Sequence, residues 1–258
     1  MNGPPLLVVD RLCKRFGGVS AVADMDLTVP AGETLAIIGP NGAGKTTFYN
    51  LLSGRMKPSS GRITLRGRDI TGLPPHRISR LGVSRSFQIN NIFTEMTVRQ
   101  NVEVAVTAKQ GQSRRWANRA SANRVVQQEA QSLLQQLGIA HLGAQPAGTI
   151  SYGDKRLVEI AVVLATRPEL VLLDEPTAGM TPEETARIIA MVRALAKTGR
   201  YTFLVTEHDM RVVFDVADRI LVMHHGRELA LGPPEAIRSN PDVRQAYLGD
   251  EETELVPA

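Results

Sequence analysis

Short runs of apolar residues, separated by glycine, proline and charged residues, predict strands in the first and last thirds of the chain. Runs that are apolar almost throughout are typical of strands buried on both faces of a sheet. One segment instead alternates apolar and polar residues between two glycines, as a half-exposed strand does. The predicted strands are residues 6–9, 27–29, 34–38, 61–67, 170–173 and 202–205.

The middle third of the chain changes to the helical spacing of apolar residues. No proline occurs between Thr97 and Gly138, and Thr97 and Gln100 stand at the spacing of a capping box that opens a helix. An apolar stripe at helical spacing precedes Gly138 and consists of Val126, Ala130, Leu133 and Leu137. We therefore predict a helical insertion of several tens of residues in this third.

Strand and helix signals alternate again in the last third. Thr181 is suited to cap a helix, with Pro182 at its first position and Glu184 as the capping glutamate, and Gly199 ends the pattern. Such alternation is typical of a mostly parallel sheet covered by helices. The pattern thus predicts an α/β core interrupted by a helical insertion.

Composition excludes several classes of protein. The chain of 258 residues is 43% hydrophobic and 22% charged, which is ordinary for a globular protein. A net charge of +4, without aromatic residues interleaved in a basic cluster, does not favour a nucleic-acid partner. The single cysteine, Cys13, excludes an internal disulfide and fits a reducing compartment. We expect no signal peptide, and no apolar stretch reaches the ~18 residues that a membrane span requires.

Residues 39–47 carry the first candidate chemistry. Their sequence, G-P-N-G-A-G-K-T-T, contains the pattern G-x-x-x-x-G-K-T between a predicted strand and a helix predicted over residues 47–53. The glycines let backbone N–H groups turn toward phosphate oxygens, Lys45 adds a positive charge, and the Thr46 hydroxyl is placed to ligate Mg²⁺. The predicted nucleotide-binding residues are Gly39, Asn41, Gly42, Ala43, Gly44, Lys45, Thr46 and Thr47.

An acidic pair, Asp174 and Glu175, follows the predicted strand 170–173. Open α/β sheets place their ligands at the carboxyl ends of strands. Phosphoryl transfer needs mainly positioning and charge neutralisation. We therefore predict that Asp174 holds Mg²⁺ together with Thr46, and that Glu175 is the catalytic residue that orients or deprotonates the attacking water.

Further motifs occur in the order found in the ATP-binding subunits of ABC transporters, which this chain resembles from Leu7 to about Gly249. Phe16 precedes the phosphate loop, and Gln88 follows it in the sequence S-F-Q. Residues 150–156 stand in the place of the family's signature Leu-Ser-Gly-Gly-Gln. A histidine, His208, then follows a strand in the sequence T-E-H-D.

The resemblance implies a P-loop NTPase core of the ABC type. Such a core has a mostly parallel sheet with flanking helices and an N-terminal antiparallel β part, and a helical subdomain is added to it. We expect the nucleotide-binding α/β core at residues 1–90 and 168–258. We expect the helical subdomain, with the signature motif, at residues 91–167.

The resemblance also implies roles for individual residues. Phe16 would stack on adenine, Gln88 would contact Mg²⁺ or the attacking water, and His208 would hydrogen-bond the γ-phosphate. Gln88 and His208 thus join Glu175 as expected catalytic residues. Ser151 and Gly153 would bind the nucleotide of a partner subunit, so that two subunits, identical or related, enclose two ATP molecules in a nucleotide-sandwich dimer.

Within the family, the chain looks like the ATP-binding subunits of branched-chain amino-acid importers. The segments that carry this resemblance are residues 73–82, 86–88, 95–98, 151–153 and 240–249, together with the long helical insertion. Importers of urea and related small polar solutes share most of these features. The lipopolysaccharide-export ATPase shares the L-P-x-H segment and the Y-L-G ending, but it has a shorter insertion and lacks a tyrosine at the position of Tyr152.

The implied function is ATP hydrolysis that powers uptake of branched-chain amino acids or a similar small polar solute. The implied partners are integral membrane permeases and, indirectly, a solute-binding receptor, with no nucleic acid. The implied location is peripheral, on the cytoplasmic face of the inner or plasma membrane. Alternatives are an exporter ATPase, a soluble ABC ATPase acting on nucleic acid or ribosomes, and a regulatory module without turnover.

Two residues depart from the family pattern. Asp154 stands where the signature usually has glutamine, so a carboxylate would repel the partner's phosphates unless Lys155 or Arg156 offsets it. Thr181 stands where an aspartate is usual, and it keeps the capping role without the charge. We therefore hypothesise that the half-site at residues 151–154 is either tolerant of these changes or weakened by them, and that it could pair with a non-identical ATPase subunit.

Overall fold

The structure is a computed structural model that describes residues 5–86, 92–109 and 119–248. The strands in these ranges are β1 Pro5–Phe16, β2 Val19–Pro30, β3 Thr34–Ile38, β4 Ser60–Leu65, β5 Arg68–Asp69, β6 Val83–Arg85, β7 Leu170–Asp174, β8 Thr202–Thr206, β9 Arg219–His224 and β10 Arg227–Gly232. The helices are α1 Lys45–Leu52, α2 Pro75–Arg80, α3 Val98–Lys109, α4 Arg119–Gln136, α5 Tyr152–Ala165, α6 Pro182–Lys197, α7 Met210–Val216, α8 Pro234–Ser239 and α9 Pro241–Leu248.

Two sheets organise the described chain. One has the order β10-β9-β3-β8-β7-β6, in which the neighbours from β9 to β6 are parallel and β10 is antiparallel to β9. The other has the order β2-β1-β4-β5 and is antiparallel throughout. The predicted mostly parallel core and the N-terminal antiparallel part are both present.

The central strands are buried because other elements cover both faces of the parallel sheet. All residues of β3, β7 and β8 are buried. Val171 and Leu173 of β7 face one hydrophobic cluster, which also contains apolar residues of α3, α4, α5 and α6. Leu170 and Leu172 face a second cluster, formed with α1 and the antiparallel sheet. Successive side chains of β7 therefore point to opposite faces of the sheet and contribute to both hydrophobic clusters.

The helical region between β6 and β7 follows the predicted pattern. Gln100 N donates to Thr97 Oγ1 at 3.2 Å and Thr97 N donates to Gln100 Oε1 at 2.9 Å, so the capping box forms at the start of α3. Beyond the end of α4, Gly138 has a φ of +72°, a left-handed conformation that favours glycine. The predicted apolar stripe of α4 is buried. None of the described helices combines the length and the apolar character that crossing a bilayer requires.

Each predicted strand has a counterpart, but some bounds differ. The strand predicted over residues 61–67 ends at Leu65, because Arg66 and Gly67 form a turn with φ of +48° and +73°. The β9–β10 hairpin and the short helices α8 and α9 were not predicted. The residues of β10 are all exposed or half-buried, so this edge strand lacks a continuous apolar signal.

Candidate functional site

The phosphate loop lies between β3 and α1, against two backbone carbonyls that only glycine allows it to approach. Gly39 has a φ of +151°, and a Cβ there would lie 2.1 Å from the Met223 carbonyl oxygen. Gly44 has a φ of +101°, and its Cβ would lie 2.2 Å from the Ala21 carbonyl oxygen. Either replacement would force backbone to move, so both glycines are required for the shape of the loop.

Lys45 folds back over the loop that precedes it. Its Nζ donates to the Gly39 carbonyl oxygen and, at 3.1 Å, to the Pro40 carbonyl oxygen. Burial lowers the pKa of the Lys45 ammonium, an effect that the nearby carboxylates of Glu175 and Asp174 oppose. The phosphate loop and the acidic pair thus lie close enough to interact electrostatically.

The start of α1 suits an anion. Gly44 is the N-cap residue in a left-handed conformation, and no side chain caps the helix there. The first N–H groups of α1 therefore keep their capacity to bind a phosphate, and the helix dipole adds positive potential. Thr46 and Asn41 are exposed, Thr47 is half-buried, and Ala43 is buried.

Asp174, at the end of β7, is held from two sides. It pairs in parallel register with Thr206 of β8, whose hydroxyl donates to Asp174 Oδ1 at 2.7 Å. Arg85 of β6 donates through Nη2 to Asp174 Oδ2 at 2.5 Å. Each carboxylate oxygen can accept more than one bond, so both remain suited to a divalent cation.

The donor set fits Mg²⁺ bound together with phosphate. No group of three or more His, Cys, Asp or Glu side chains in the described ranges could hold a metal ion by itself. Mg²⁺ usually takes one or two protein ligands and completes its shell with water and substrate phosphates. The Asp174 carboxylate and the Thr46 hydroxyl match this chemistry. Gln88, the third expected ligand, lies outside the described residues.

Glu175 and His208 lie next to each other. Glu175 Oε1 is 3.0 Å from His208 Nε2, and Glu175 N donates to the Thr206 carbonyl oxygen at 3.0 Å. The φ of Glu175 is +46°, an uncommon conformation for a residue with a side chain. Adjacent strand ends of β7 and β8 therefore bring together two of the expected catalytic side chains.

Phe16 lies at the β1–β2 turn and is 47% exposed. Lys14 Nζ lies 5.2 Å from the centre of its ring. The same hairpin supplies Ala21, whose carbonyl approaches Gly44 of the phosphate loop. An exposed aromatic ring on a hairpin that contacts the loop is compatible with stacking on a base.

Ser151 caps α5, and Asp154 has an unexpected partner. Asp154 N donates to Ser151 Oγ at 3.1 Å, and Ser151 Oγ donates to Asp154 Oδ2 at 2.9 Å. Lys155 and Arg156 were the two cations considered as able to offset the Asp154 charge. The cation that pairs with it is instead Arg187 of α6, at 2.9 Å.

A carboxylate of the same chain already binds the start of α5. Gly153 N donates to Glu184 Oε1 at 3.0 Å, while Glu184 Oε2 accepts from Thr181 N at 3.1 Å. These bonds lower the pKa of Glu184, the one from Thr181 most and the one from Gly153 next. The N–H expected to meet a partner's phosphate is therefore engaged by Glu184.

Sequence reasoning missed two buried arginines. Arg85 binds Asp174, and Arg156 of α5 donates to the carbonyl oxygens of Asp174 at 2.9 Å and Glu175 at 3.1 Å. Arg156 also pairs with Glu159 at 2.9 Å. The available signals were an arginine at the end of a short strand and an arginine on the buried face of α5.

Two families of known sequences match this chain. Residues 22–178 match the family described as "ABC transporter". Residues 227–253 match the family described as "Branched-chain amino acid ATP-binding cassette transporter". The second match covers β10 and the short helices α8 and α9, the part whose structure was not predicted.

Individual relatives are similar over nearly their whole length. The chain is 42% identical over 252 residues to the high-affinity branched-chain amino acid transport ATP-binding protein LivG of Salmonella typhimurium, covering 95% of this chain and 98% of LivG. The chain is also 42% identical over 252 residues to the protein of the same description, BraF, of Pseudomonas aeruginosa. This match covers 95% of this chain and 98% of BraF.

A solved structure has a similar fold. The ADP conformation of MJ1267, an ATP-binding cassette of an ABC transporter, superposes with a TM-score of 0.83 at 30% identity. The match covers 96% of this chain and 100% of that one.

Proposed function

Because the chain belongs to the ABC transporter family of ATP-binding subunits, we propose that it hydrolyses MgATP to drive solute uptake through partner membrane permeases. The proposed solutes are branched-chain amino acids or similar small polar molecules. The observation that supports an ATPase site most directly is the 3.0 Å contact between Glu175 and His208. It lies at the carboxyl ends of β7 and β8, the edge of the parallel sheet at which the phosphate loop follows β3. The named relatives support the solute class.

Membership of the family confirms the resemblance, the fold class and the ATPase activity that the sequence predicted. Relatives named for amino-acid transport do not favour an exporter ATPase or a soluble non-transport ATPase. The chain is accordingly an ATP-binding subunit peripheral to a membrane. We place it on the cytoplasmic face of the inner or plasma membrane, where ATP is available.

In the proposed mechanism, Lys45 and the N–H groups of residues 39–47 bind the nucleotide phosphates. Mg²⁺, held by Thr46 and Asp174 and by Gln88 as the resemblance implies, would neutralise charge on the phosphate oxygens. Glu175 orients the attacking water or accepts its proton. His208, 3.0 Å from Glu175, holds that carboxylate, and the resemblance implies that it also hydrogen-bonds the γ-phosphate.

Dimerisation completes the proposed site. Ser151 and Gly153 at the start of α5 would meet the nucleotide bound by a second ATPase subunit, identical or related. Helix N-termini favour such anions. Arg187 pairs with Asp154 and offsets its negative charge. Asp154 should therefore repel the nucleotide of the second subunit less than an unpaired carboxylate would.

A groove between the core and the helical region offers a docking surface for a permease. It has a volume of about 200 Å³ and is lined by α2, β6 and α5 and by Ser53 and Arg55, which follow α1. Its apolar residues include Pro75, Val83, Val162 and Val163. Ser86, which immediately precedes the segment of Gln88, also lines it. We propose that a segment of the permease occupies this groove.

Co-purification tests the transport function. The affinity-tagged chain, expressed in its own cells, is isolated from detergent-solubilised membranes, and its partners are identified by mass spectrometry. We expect permease subunits, and we expect the reconstituted complex to take up labelled leucine when ATP is supplied. A Lys45→Ala complex is the matched control, expected to assemble but not to transport.

Two outcomes would contradict the proposal. Recovery of ribosomes or nucleic acid in place of permeases, with ATPase activity stimulated by them, would favour the soluble alternative. ATP-driven movement of a lipid-linked solute in the outward direction would favour an exporter.

A further inference from the structure

A cleft lies between the phosphate loop and helix α9, near the C-terminal end of the described chain. It has a volume of about 690 Å³, within the ~300–1,000 Å³ typical of small-molecule sites. Loop residues 40–43 form one wall, His224 and His225 at the β9–β10 turn form a second, and Leu229 of β10 with α9 forms a third. We call it the C-terminal cleft. Its lining residues do not include the acidic pair or α5, so it is distinct from the groove proposed for the permease.

The C-terminal cleft presents polar groups of two kinds. Asp242 is the one carboxylate among its lining residues, and Gln245 lies about one turn further along α9. Neither side chain forms a hydrogen bond or an ion pair with the rest of the described chain. The rings of His224 and His225 have centres 4.0 Å apart, and an imidazole carries an N–H donor whether neutral or protonated. The cleft therefore offers an acceptor for a cation at α9 and donors for an anion at the turn.

The remaining lining favours a short apolar group. Pro40, Leu229 and Ala246 line the cleft beside the polar side chains. A ligand with only negative charge would be repelled by Asp242, and one with only positive charge would leave the imidazoles without a partner. A zwitterion with a short apolar side chain satisfies all three features. This combination is the chemistry of a free apolar α-amino acid.

The turn that carries the histidines is hydrogen-bonded to the phosphate loop. Gly226 N donates to the Ala43 carbonyl oxygen at 3.0 Å, and Ala23 N of β2 donates to the Gly226 carbonyl oxygen at 2.8 Å. A ligand carboxylate held by the histidines would thus lie on the loop side of the cleft, with its ammonium group at α9. Negative charge there lowers the positive potential that the loop offers to nucleotide phosphates. Occupation of the cleft should therefore weaken nucleotide binding.

We propose that the C-terminal cleft binds a free apolar α-amino acid and that this binding lowers the affinity of the phosphate loop for ATP. Asp242 accepts from the ammonium group, and His224 and His225 donate to the carboxylate. Leu229 and α9 belong to the segment that matches the family described as "Branched-chain amino acid ATP-binding cassette transporter". The subunit would in this way sense transported solute that has accumulated inside the cell. This feedback role rests on the proposed function, whereas binding of the amino acid does not.

Isothermal titration calorimetry of the isolated full-length chain tests the site. We expect L-leucine to bind. We expect leucinol, which lacks the carboxylate, and isocaproate, which lacks the ammonium group, to bind about tenfold more weakly or less. Saturating leucine should raise the Kd of a fluorescent non-hydrolysable ATP analogue about fivefold, and the analogue should weaken leucine binding by the same factor, because coupling between two sites is reciprocal.

Three variants locate the binding. Asp242→Asn removes the partner of the ammonium group, so it should weaken leucine binding about tenfold and still bind nucleotide as wild type does when leucine is absent. His224→Ala should weaken leucine binding and reduce the discrimination against leucinol. Glu235→Gln, an exposed residue of α8 outside the lining, is the control and should bind leucine as wild type does.

The outcomes separate this inference from the function on which its feedback role rests. If the reconstituted complex takes up leucine with ATP, but the isolated chain binds no leucine or Asp242→Asn binds it as wild type does, the site is wrong while the proposed function stands. Leucine binding without any change in nucleotide affinity would overturn the feedback role. If the complex transports no amino acid, the proposed function fails and the feedback role fails with it, whatever the cleft binds.

Discussion

Three carboxylates around the candidate site differ in what holds them. Asp174 is buried between Arg85 and Thr206, whereas Glu175 is half-buried and lies against His208. Glu184 instead binds backbone N–H groups at the starts of α5 and α6. Because their partners differ, we expect three different roles. Asp174 binds metal, Glu175 transfers a proton, and Glu184 restrains α5, the helix that begins in the signature motif.

Glu184→Gln should favour assembly of the dimer. The Glu184 carboxylate occupies Gly153 N at 3.0 Å and repels any phosphate that approaches it, whereas an amide carries no charge. We expect dimerisation with a slowly hydrolysed ATP analogue to need several-fold less nucleotide than in wild type, as measured by light scattering. Glu183→Gln, in the same exposed first turn of α6, is the control. Equal nucleotide requirements for the two variants would contradict the idea.

Sequence could identify residues whose partners lie nearby in the chain. The phosphate loop is recognised by residue types within nine consecutive positions, and the capping boxes at Thr97 and Thr181 depend on contacts within a few residues. The structure contains both capping boxes. The partner of Arg85 lies 89 residues away, and that of Gly153 lies 31 residues away. Side-chain pairs at such separations depend on how the strands and helices pack, which residue spacing does not encode.

At the scale of elements, the carboxyl ends of β7 and β8 are tied together by a buried glutamate. Glu207 directly follows β8 and is 5% exposed. Its Oε1 accepts from Thr177 N at 2.9 Å and from Thr177 Oγ1 at 2.8 Å, in the loop that follows β7. Burial raises the pKa of Glu207, with the bonds from Thr177 opposing it.

The raised pKa of Glu207 predicts a pH dependence of stability. Folding favours the protonated form of the Glu207 carboxyl. The stabilisation that this protonated carboxyl gives to the folded protein is fully present below the unfolded-state pKa of about 4.3, and it is lost as pH rises through the folded-state pKa. Glu207→Gln should remove this loss, because glutamine does not titrate and its oxygen can still accept from Thr177. The free energy of unfolding, from urea titrations across this window, should rise with pH in the variant relative to wild type.

A matched control isolates the effect of burial. Glu235→Gln changes an exposed glutamate in the first turn of α8 and should leave the pH dependence unchanged. If the difference between Glu207→Gln and wild type is the same at every pH, then Glu207 does not titrate with a raised pKa.

The elements that sequence predicted best are those buried on both sides. β3, β7 and β8 appear as apolar runs because every residue in them is buried. The β9–β10 hairpin was missed although β9 is largely buried, since its partner β10 is half-exposed and has no clear period. A half-buried strand at the edge of a sheet has no regular pattern of apolar residues, so it is difficult to predict from a single sequence.

At the scale of the whole molecule, the division into a core at 1–90 and 168–258 and a helical subdomain at 91–167 stays a prediction. One hydrophobic cluster contains residues of α3, α4 and α5 together with residues of β7, β8 and α6. The signature helix α5 therefore packs on the core as well as on the other helices. Arg156 adds direct hydrogen bonds from α5 to the backbone at Asp174 and Glu175.

Glu175→Gln should trap an ATP-bound closed dimer and abolish turnover. Glutamine keeps the shape of Glu175 and can still contact His208, but it cannot accept a proton from the attacking water, so bound ATP persists. We expect light scattering to give the mass of a dimer with MgATP, and phosphate release to stop. Lys45→Ala in the same background should remain monomeric. Wild-type turnover in Glu175→Gln would refute the role of Glu175. A monomer that dimerises only after a second ATPase subunit is added would instead identify the partner as non-identical.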